Sequence, residues 1–295
     1  MSEGSKVINW YPGHMNKARI MMEQNMRLVD LCIELVDARA PGSSRNPDID
    51  RMAKGKGRVI VLNKADLADP KVTDEWKRYF TDRGMVVVLA DSKSKKGTGS
   101  VIAAAKKACT EKIARNAARS IKNQSLKAMV VGIPNVGKST FINAVFGKNA
   151  AKTGNKPGVT KGKQWISVGK DLELLDTPGI LWPKFEDRAV GERLAYLGSI
   201  NDEILVTEEL AGTLLLQLYK DYPALVFDRY GITEELDRDV SEASFSTRQS
   251  RMLDHIANKR GCLKKGGETD YFKVSGIVLD DFRSGRIGRI SLERP

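Results

Sequence analysis

The sequence predicts an α/β protein with a mostly parallel β-sheet flanked by helices, followed by a smaller all-α domain. Short valine-rich runs, each bounded by loop residues, alternate with helical patterns in the first half of the 295-residue chain, as buried parallel strands do. A glycine-rich loop lies between a strand pattern and a helix pattern. After Trp182 and Pro183 the pattern changes to long helices, so we predict domains at 1–185 and 186–295.

The first elements follow in chain order. Residues 15–28 space methionine and leucine at helical intervals, and apolar runs at 31–39 and 58–66 predict two strands. Another valine-rich run at 85–92 predicts a third strand, preceded by a helix that ends at Gly84.

The later elements are also legible. Alanine-rich residues 100–122 predict one basic helix, and 128–147 predict a strand, a glycine-rich loop and a helix. Residues 164–180 predict two short strands around Gly169. From about residue 190 onward, long amphipathic patterns predict the helical domain.

Positive charge is concentrated in the predicted first domain. The formal net charge is +12, yet residues 186–295 hold 16 basic and 20 acidic residues, which leaves 33 basic against 17 acidic in 1–185. A basic half of this kind predicts a polyanionic partner, most often nucleic acid. A solvated basic face with no partner would have the same composition.

Cysteine usage and hydropathy indicate the compartment. Cys32, Cys109 and Cys262 are widely spaced and predict neither a disulfide framework nor a zinc site, which fits a reducing compartment. The first residues lack the apolar core of a signal peptide, and no apolar stretch approaches the roughly 18 residues of a membrane span. We therefore expect a cytoplasmic protein without a membrane partner.

The most specific local motif is GIPNVGKS at 132–139, which fits the phosphate-binding pattern G-x-x-x-x-G-K-[ST]. Glycines let backbone N–H groups fold around an anion, and the following helix adds the positive end of its dipole. We expect Lys138 to neutralise the β- and γ-phosphates during catalysis and the Ser139 hydroxyl to ligate Mg²⁺. The nucleotide-binding residues predicted here are Asn135, Val136, Gly137, Lys138, Ser139 and Thr140.

A second motif, DTPG at 176–179, follows an apolar strand pattern. Alone it would indicate only a turn, but downstream of a phosphate loop Asp176 can hold Mg²⁺ through water. The Gly179 N–H can then contact the γ-phosphate. Between the two motifs, Thr160 is the candidate switch and catalytic residue that completes the metal shell when a γ-phosphate is present.

The motif NKAD at 63–66 ends a predicted strand and predicts recognition of guanine. An ionised Asp66 only accepts hydrogen bonds, and guanine offers the paired N1–H and N2–H₂ donors that it needs, whereas adenine opposes a lone pair to it. Lys64 can pack its stem against the ring. Without the phosphate motifs, NKAD would equally suit a turn at a strand end. The predicted base-binding residues are Asn63, Lys64, Ala65, Asp66, Asp91 and Ser92.

The order of these motifs along the chain is informative, because the guanine motif precedes the phosphate loop. A parallel sheet tolerates such reordering if the old termini are joined and the chain begins elsewhere. The basic segment 93–127 has the length and composition of that connection. The sequence therefore predicts a circularly permuted P-loop GTPase domain with GTP as substrate.

The chain resembles the circularly permuted GTPases, and among them the bacterial ribosome-biogenesis group, nearly from end to end. The resemblance rests on NWYPGHMNKA, DARAP, NKAD, GIPNVGKST, KPGVT, LLDTPGILWPKFED and KRGC. It implies a factor in late maturation of the large (50S) ribosomal subunit, with a C-terminal helical domain at 186–295 that contacts rRNA.

The groups that drive hydrolysis are less obvious. Ile180 occupies the position where many GTPases place a water-orienting glutamine, so we expect slow intrinsic turnover. His14 lies in a polar break ahead of a basic helix, and an imidazole there could orient or deprotonate water. The resemblance also indicates His14 as the catalytic group, although capping or packing is the alternative. It further implies that Asn135 helps coordinate an activating K⁺.

Two functions remain open at this level. The first is a monomeric GTPase that binds rRNA and ribosomal proteins of the large-subunit precursor in its GTP state, is stimulated by ribosomal particles and leaves on hydrolysis. The alternative is a GTP-gated RNA-binding module in which hydrolysis is incidental. We expect no DNA partner, and a role in tRNA modification or at membranes lacks a supporting motif.

Overall fold

The chain forms two compact units in a computed structural model that describes residues 14–121, 125–147, 165–168, 170–175, 187–200 and 206–295. The first unit comprises Met1–Val190 together with Ser291–Pro295, and the second comprises Gly191–Ile290. The division predicted from sequence assigned all of 186–295 to the second domain, whereas the last five residues lie in the first unit.

One sheet organises the first unit, and its described strands have the order β3-β2-β1-β4-β6-β5. Neighbouring strands are parallel except for the antiparallel pair of β5 and β6. The predicted mostly parallel sheet is therefore confirmed. The strands are β1 Leu31–Asp37, β2 Gly57–Asn63, β3 Val86–Ala90, β4 Leu126–Gly132, β5 Trp165–Val168 and β6 Leu172–Leu175.

Helices cover both faces of this sheet. On one face the sheet packs against α1 and α3, whose buried side chains include Met22, Met26, Trp76 and Phe80. On the opposite face α4 contacts β2 and β3, and α6 contacts β4 and β5. The helices are α1 His14–Met26, α2 Asp48–Met52, α3 Pro70–Asp82, α4 Val101–Ala108, α5 Thr110–Ala118 and α6 Lys138–Phe146.

The prediction of one continuous helix over 100–122 is wrong, because the helix breaks at Cys109 into α4 and α5. Gly57 has no side chain, and the Cys109 sulfur and the Ala108 carbonyl oxygen occupy the space that a Cβ would fill, at 2.7 and 2.8 Å. This packing holds the end of α4 against β2. Beyond the break α5 buries none of its residues.

The second unit is helical, as predicted. Its central helix, α8, contacts α9, α11 and α12 through a leucine-rich face. The buried Asp281 carboxylate accepts hydrogen bonds from Arg229 and Arg286. The helices are α7 Arg188–Tyr196, α8 Thr207–Asp221, α9 Pro223–Tyr230, α10 Glu234–Glu242, α11 Phe245–Arg260 and α12 Tyr271–Arg283. In the described part of the chain, none of the helices is both long and apolar enough to cross a membrane.

Candidate nucleotide-binding site

Four parallel strands deliver the predicted motifs to one edge of the sheet. Asp37 at the end of β1 is level with Asn63 at the end of β2, and Asn63 is level with Ala90 at the end of β3. Gly132, which ends β4, is level with Leu35. Carboxyl ends of parallel strands share an edge, where ligands bind in open α/β sheets. The phosphate loop and the guanine motif therefore meet in space although their order in the chain is reversed.

Asn63 joins three loops at this edge. Its amide nitrogen donates to the Val136 carbonyl oxygen of the phosphate loop at 2.8 Å. Its amide oxygen accepts from the Ser92 hydroxyl at 2.7 Å and from the Ser92 N–H at 3.3 Å. The Asn63 side chain is buried. It therefore holds the loops that surround a nucleotide in register.

Lys64 is held in an uncommon conformation. Its φ of 57° lies in the left-handed region, which costs a non-glycine residue about 1–2 kcal/mol. The ammonium group donates to the Asn135 carbonyl oxygen at 2.9 Å and lies 3.0 Å from Asp37 Oδ2. These contacts fix the lysine beside the phosphate loop, and the packing of its stem against the base stays a prediction.

Asp37 and Arg39 form a buried ion pair that sequence reasoning did not assign to the site. Arg39 donates from Nε and Nη2 to the two carboxylate oxygens of Asp37, each at 2.9 Å. Burial by itself would raise the pKa of the Asp37 carboxyl, but Arg39 and Lys64 outweigh burial and hold that pKa well below its usual range. The signal was present in the sequence, since an acidic residue ended the strand beside the NKAD strand.

The phosphate loop has the strand–loop–helix arrangement that its motif predicts. Asn135 and Gly137 both adopt left-handed backbone conformations, with φ of 60° and 93°. A Cβ at Gly137 would lie 2.6 Å from the Asn63 amide nitrogen, so glycine is required there. Lys138 and Ser139 occupy the first turn of α6, and Thr140 follows on an exposed position. The positive end of the helix dipole at this N-terminus then favours an anion.

The remaining base-binding candidates lie beside Asn63. The Ala65 N–H donates to the Ala90 carbonyl oxygen at 3.1 Å, which joins the guanine motif to the end of β3. Asp66 is exposed at this edge. The Asp91 carboxylate accepts from the Lys93 and Ser94 N–H groups and so shapes its own loop. Although desolvation opposes the effect, these hydrogen bonds lower the pKa of Asp91.

Several predicted site residues lie outside the described residues. Thr160, Asp176 and Gly179 belong to this group. The backbone of His14 begins α1, but its side chain is likewise outside the description. The described half of the site can bind a guanine base and a polyphosphate. The switch residues and the catalytic histidine stay predictions.

The chain matches several proteins named as GTPases over nearly its whole length. "Ribosome biogenesis GTPase A" from Bacillus cereus is 46% identical over 98% of this chain and 94% of its own length. The protein of the same name from Thermotoga maritima is 33% identical, over 98% and 95%. The chain belongs to the ribosome biogenesis GTPase A family. "Mitochondrial ribosome-associated GTPase 1" from Bos taurus is 30% identical, over 99% and 90%.

Solved structures extend this comparison to the fold. GDP-bound YlqF has a TM-score of 0.64 at 29% identity, over 93% of this chain and 99% of its own. GNP-bound YlqF from T. maritima has a TM-score of 0.63 at 30% identity, over 95% and 98%. The predicted circularly permuted GTPase fold with a helical C-terminal unit is thereby confirmed.

A family model described as "50S ribosome-binding GTPase" matches residues 127–259. The match begins in the strand before the phosphate loop and leaves out the guanine motif at 63–66, as circular permutation requires. As a member of the ribosome biogenesis GTPase A family, this protein hydrolyses GTP and acts in ribosome assembly.

Proposed function

We propose that this protein is a cytoplasmic assembly factor that acts late in maturation of the bacterial large ribosomal subunit. In its GTP state it binds rRNA and ribosomal proteins of the precursor as a monomer, and hydrolysis releases it. DNA has no part in this cycle. Membership of the ribosome biogenesis GTPase A family supports the assembly role. A basic surface on the first unit supports the RNA contact.

The basic surface is formed by the segment that joins the old termini of the permuted domain. Residues 93–121 contain eight basic residues and one acidic residue, Glu111. Lys106 pairs with Asp171 and Lys112 pairs with Asp30. For the other six, no carboxylate of the described residues lies within 4.0 Å, and all six are exposed. These six residues, which we call the basic face, are Lys93, Lys95, Lys96, Lys107, Arg115 and Arg119.

Helix α5 is the part of this surface that packing explains least. None of its residues is buried, so the helix adds nothing to the hydrophobic core. Lys112, Arg115 and Arg119 follow one another at helical spacing and share one side of the helix. Arg115 and Arg119 are the exposed members of this stripe, and exposed cations so placed fit the phosphates of a folded RNA.

We propose Mg²⁺ as the metal that accompanies GTP. The Ser139 hydroxyl lies on the first turn of α6, next to the left-handed Gly137, and an oxygen donor there suits a hard cation. Thr160, and Asp176 through water, are the further proposed ligands. Bound Mg²⁺ neutralises charge on the β- and γ-phosphates. Asn135 is the proposed ligand of an activating K⁺.

We propose that His14 orients the attacking water, because Ile180 cannot form a hydrogen bond. Lys138 stabilises the developing phosphate charge, and Thr160 closes the site when the γ-phosphate is present.

GTP turnover with and without purified large subunits tests the proposed function. Large subunits should accelerate turnover of the wild-type protein in KCl more than in NaCl, and His14→Ala should lose turnover while it still binds GTP. Charge reversal of Lys107, Arg115 and Arg119 to Glu should weaken stimulation by the subunit. The slope of log K for binding against log salt concentration should also become shallower, by about 0.7–0.9 for each phosphate contact that is lost.

The matched control reverses three exposed cations of α3, Lys71, Lys77 and Arg78, and should keep full stimulation. Absence of stimulation in the wild-type protein would contradict the proposed function. Full stimulation of the variant with Lys107, Arg115 and Arg119 reversed would instead contradict only the RNA contact at the basic face. Retained turnover in His14→Ala would contradict its catalytic role.

A further inference from the structure

The end of the chain returns to the first unit and crosses the outside of the nucleotide-binding edge. Residues 291–293, which we call the C-terminal strap, lie more than 200 positions from their partners in the chain. Ser291 and Leu292 are buried, at 6% and 4% exposure. Burial and hydrogen bonds to distant segments together fix the position of these residues.

On one side the strap holds the loop that follows β1. The two carboxylate oxygens of Glu293 accept from the Ser43 N–H at 2.7 Å and from the Ser43 hydroxyl at 2.6 Å. The Leu292 N–H donates to the Arg39 carbonyl oxygen at 2.7 Å. A Cβ at Gly42 would lie 3.1 Å from Glu293 Oε1, so a glycine gives the strap room to approach.

On its other side the strap holds the start of α3. The Asp69 N–H donates to the Ser291 hydroxyl oxygen at 3.2 Å, and the Trp76 indole N–H donates to the Glu293 carbonyl oxygen at 3.2 Å. Asp69 caps α3 and lies three positions after Asp66. The strap therefore bridges the two segments that flank the guanine motif.

The path from the strap to the base site is short. The Leu292 N–H is hydrogen-bonded to the backbone carbonyl oxygen of Arg39. The guanidinium of Arg39 donates to the Asp37 carboxylate, which lies 3.0 Å from the Lys64 ammonium. Lys64 is in a left-handed conformation that its neighbours must maintain. Each link in this path is a direct hydrogen bond or ion pair.

We propose that the C-terminal strap is a positioning element for guanine recognition. By holding the Arg39 loop and the start of α3 together, it keeps Lys64 and Asp66 in the arrangement that accepts a guanine base. This role concerns nucleotide binding alone and does not depend on which particle the protein serves.

Nucleotide dissociation from the full-length protein tests the proposal. We compare wild type with Glu293→Ala and with a chain that ends at Ile290, using GDP and inosine diphosphate, which lacks the N2 amine. Both variants should release GDP about 5- to 20-fold faster, which lies in the lower part of the roughly 5- to 150-fold range of typical couplings between sites. They should also lose part of the preference for GDP over inosine diphosphate, because Asp66 no longer meets the amine.

The matched control is Arg294→Ala, which removes an exposed ion pair with Glu75 but leaves the hydrogen bonds of the strap intact. It should release GDP at the wild-type rate. Circular dichroism checks that each variant is folded. Wild-type dissociation rates in both strap variants would overturn the proposal. Equal acceleration for the two nucleotides would also overturn it, since that outcome is a loss of stability without a role in base recognition.

Discussion

Single side chains at the strand ends do more than contact a ligand. The Asn63 amide bonds to two other loops, at Val136 and Ser92, and is buried while doing so. An amide carries its donor and its acceptor on separate atoms, so one side chain can bond to both loops at once. Asn63 therefore holds the loops of the site together, and the neighbouring Asp66, which is exposed at the edge, is the residue predicted to select the base.

Asp66→Asn should change the base that the protein prefers. The variant presents an N–H donor where guanine also donates, so GTP affinity should fall by about 100-fold or more, and xanthine nucleotides, whose O2 accepts, should bind better than GTP. Equilibrium binding of GTP and XTP measures both effects. Asp82→Asn, an exposed change at the end of α3, is the control. Unaltered GTP affinity in Asp66→Asn would show that this carboxylate does not contact the base.

At the scale of elements, the junction of β4, the phosphate loop and α6 depends on backbone shape. Gly137 has a φ of 93°, and the Asn63 amide fills the space beside its Cα. The phosphate loop is therefore packed closely against Asn63 of the guanine motif. A change there affects the phosphate loop and the guanine motif together.

Gly137→Ala should lower the affinity for both GDP and GTP by tenfold or more. The alanine must adopt a disfavoured left-handed backbone conformation, which costs about 1–2 kcal/mol, and its Cβ displaces the Asn63 amide. Calorimetric titration with GDP measures the loss. Gly99→Ala is the matched control, because a Cβ there meets nothing within 4 Å and its φ is not positive. Equal affinities for the two variants would contradict the account of this junction.

The whole molecule consists of two units with separate cores and a chain that leaves the first unit after Val190 and rejoins it at Ser291. The nucleotide-binding edge lies in the first unit. Binding energy therefore stabilises that unit directly, whereas the second unit is held by its own leucine-rich packing.

Calorimetry should therefore resolve two unfolding transitions, and GDP should raise the midpoint temperature of one of them. At a free GDP concentration 100 times the Kd, the first unit gains about 2.7 kcal/mol, and the transition of the helical unit should stay in place. Scans with and without GDP measure this, and Asp66→Asn, which should bind more weakly, is the control that should show a smaller shift. A single transition that moves as a whole would mean that the two cores unfold as one.

Local motifs were predictable because each depends on residue types that have few substitutes. Gly137 is needed for a left-handed turn, and Lys138 and Asp66 are the types expected for phosphate charge and for two guanine donors. The order of the motifs along the chain then indicated a permuted GTPase. The break at Cys109 was not predictable, since alanine and lysine on both sides favour helix. Packing against Gly57 ends α4 there.

Residue types and motif order were enough to predict the fold class, the permutation and the guanine nucleotide, whereas the roles of the individual site residues stay predictions. The tertiary structure was needed to place Asp37 beside Lys64 of the guanine motif and to bring Glu293 to the loop that follows β1. Glu293 and Ser43 are 250 positions apart, and their hydrogen bond exists because the chain end returns to the strand ends. Sequence patterns report local backbone and side-chain requirements, whereas such distant pairs depend on sheet register and on the path of the whole chain.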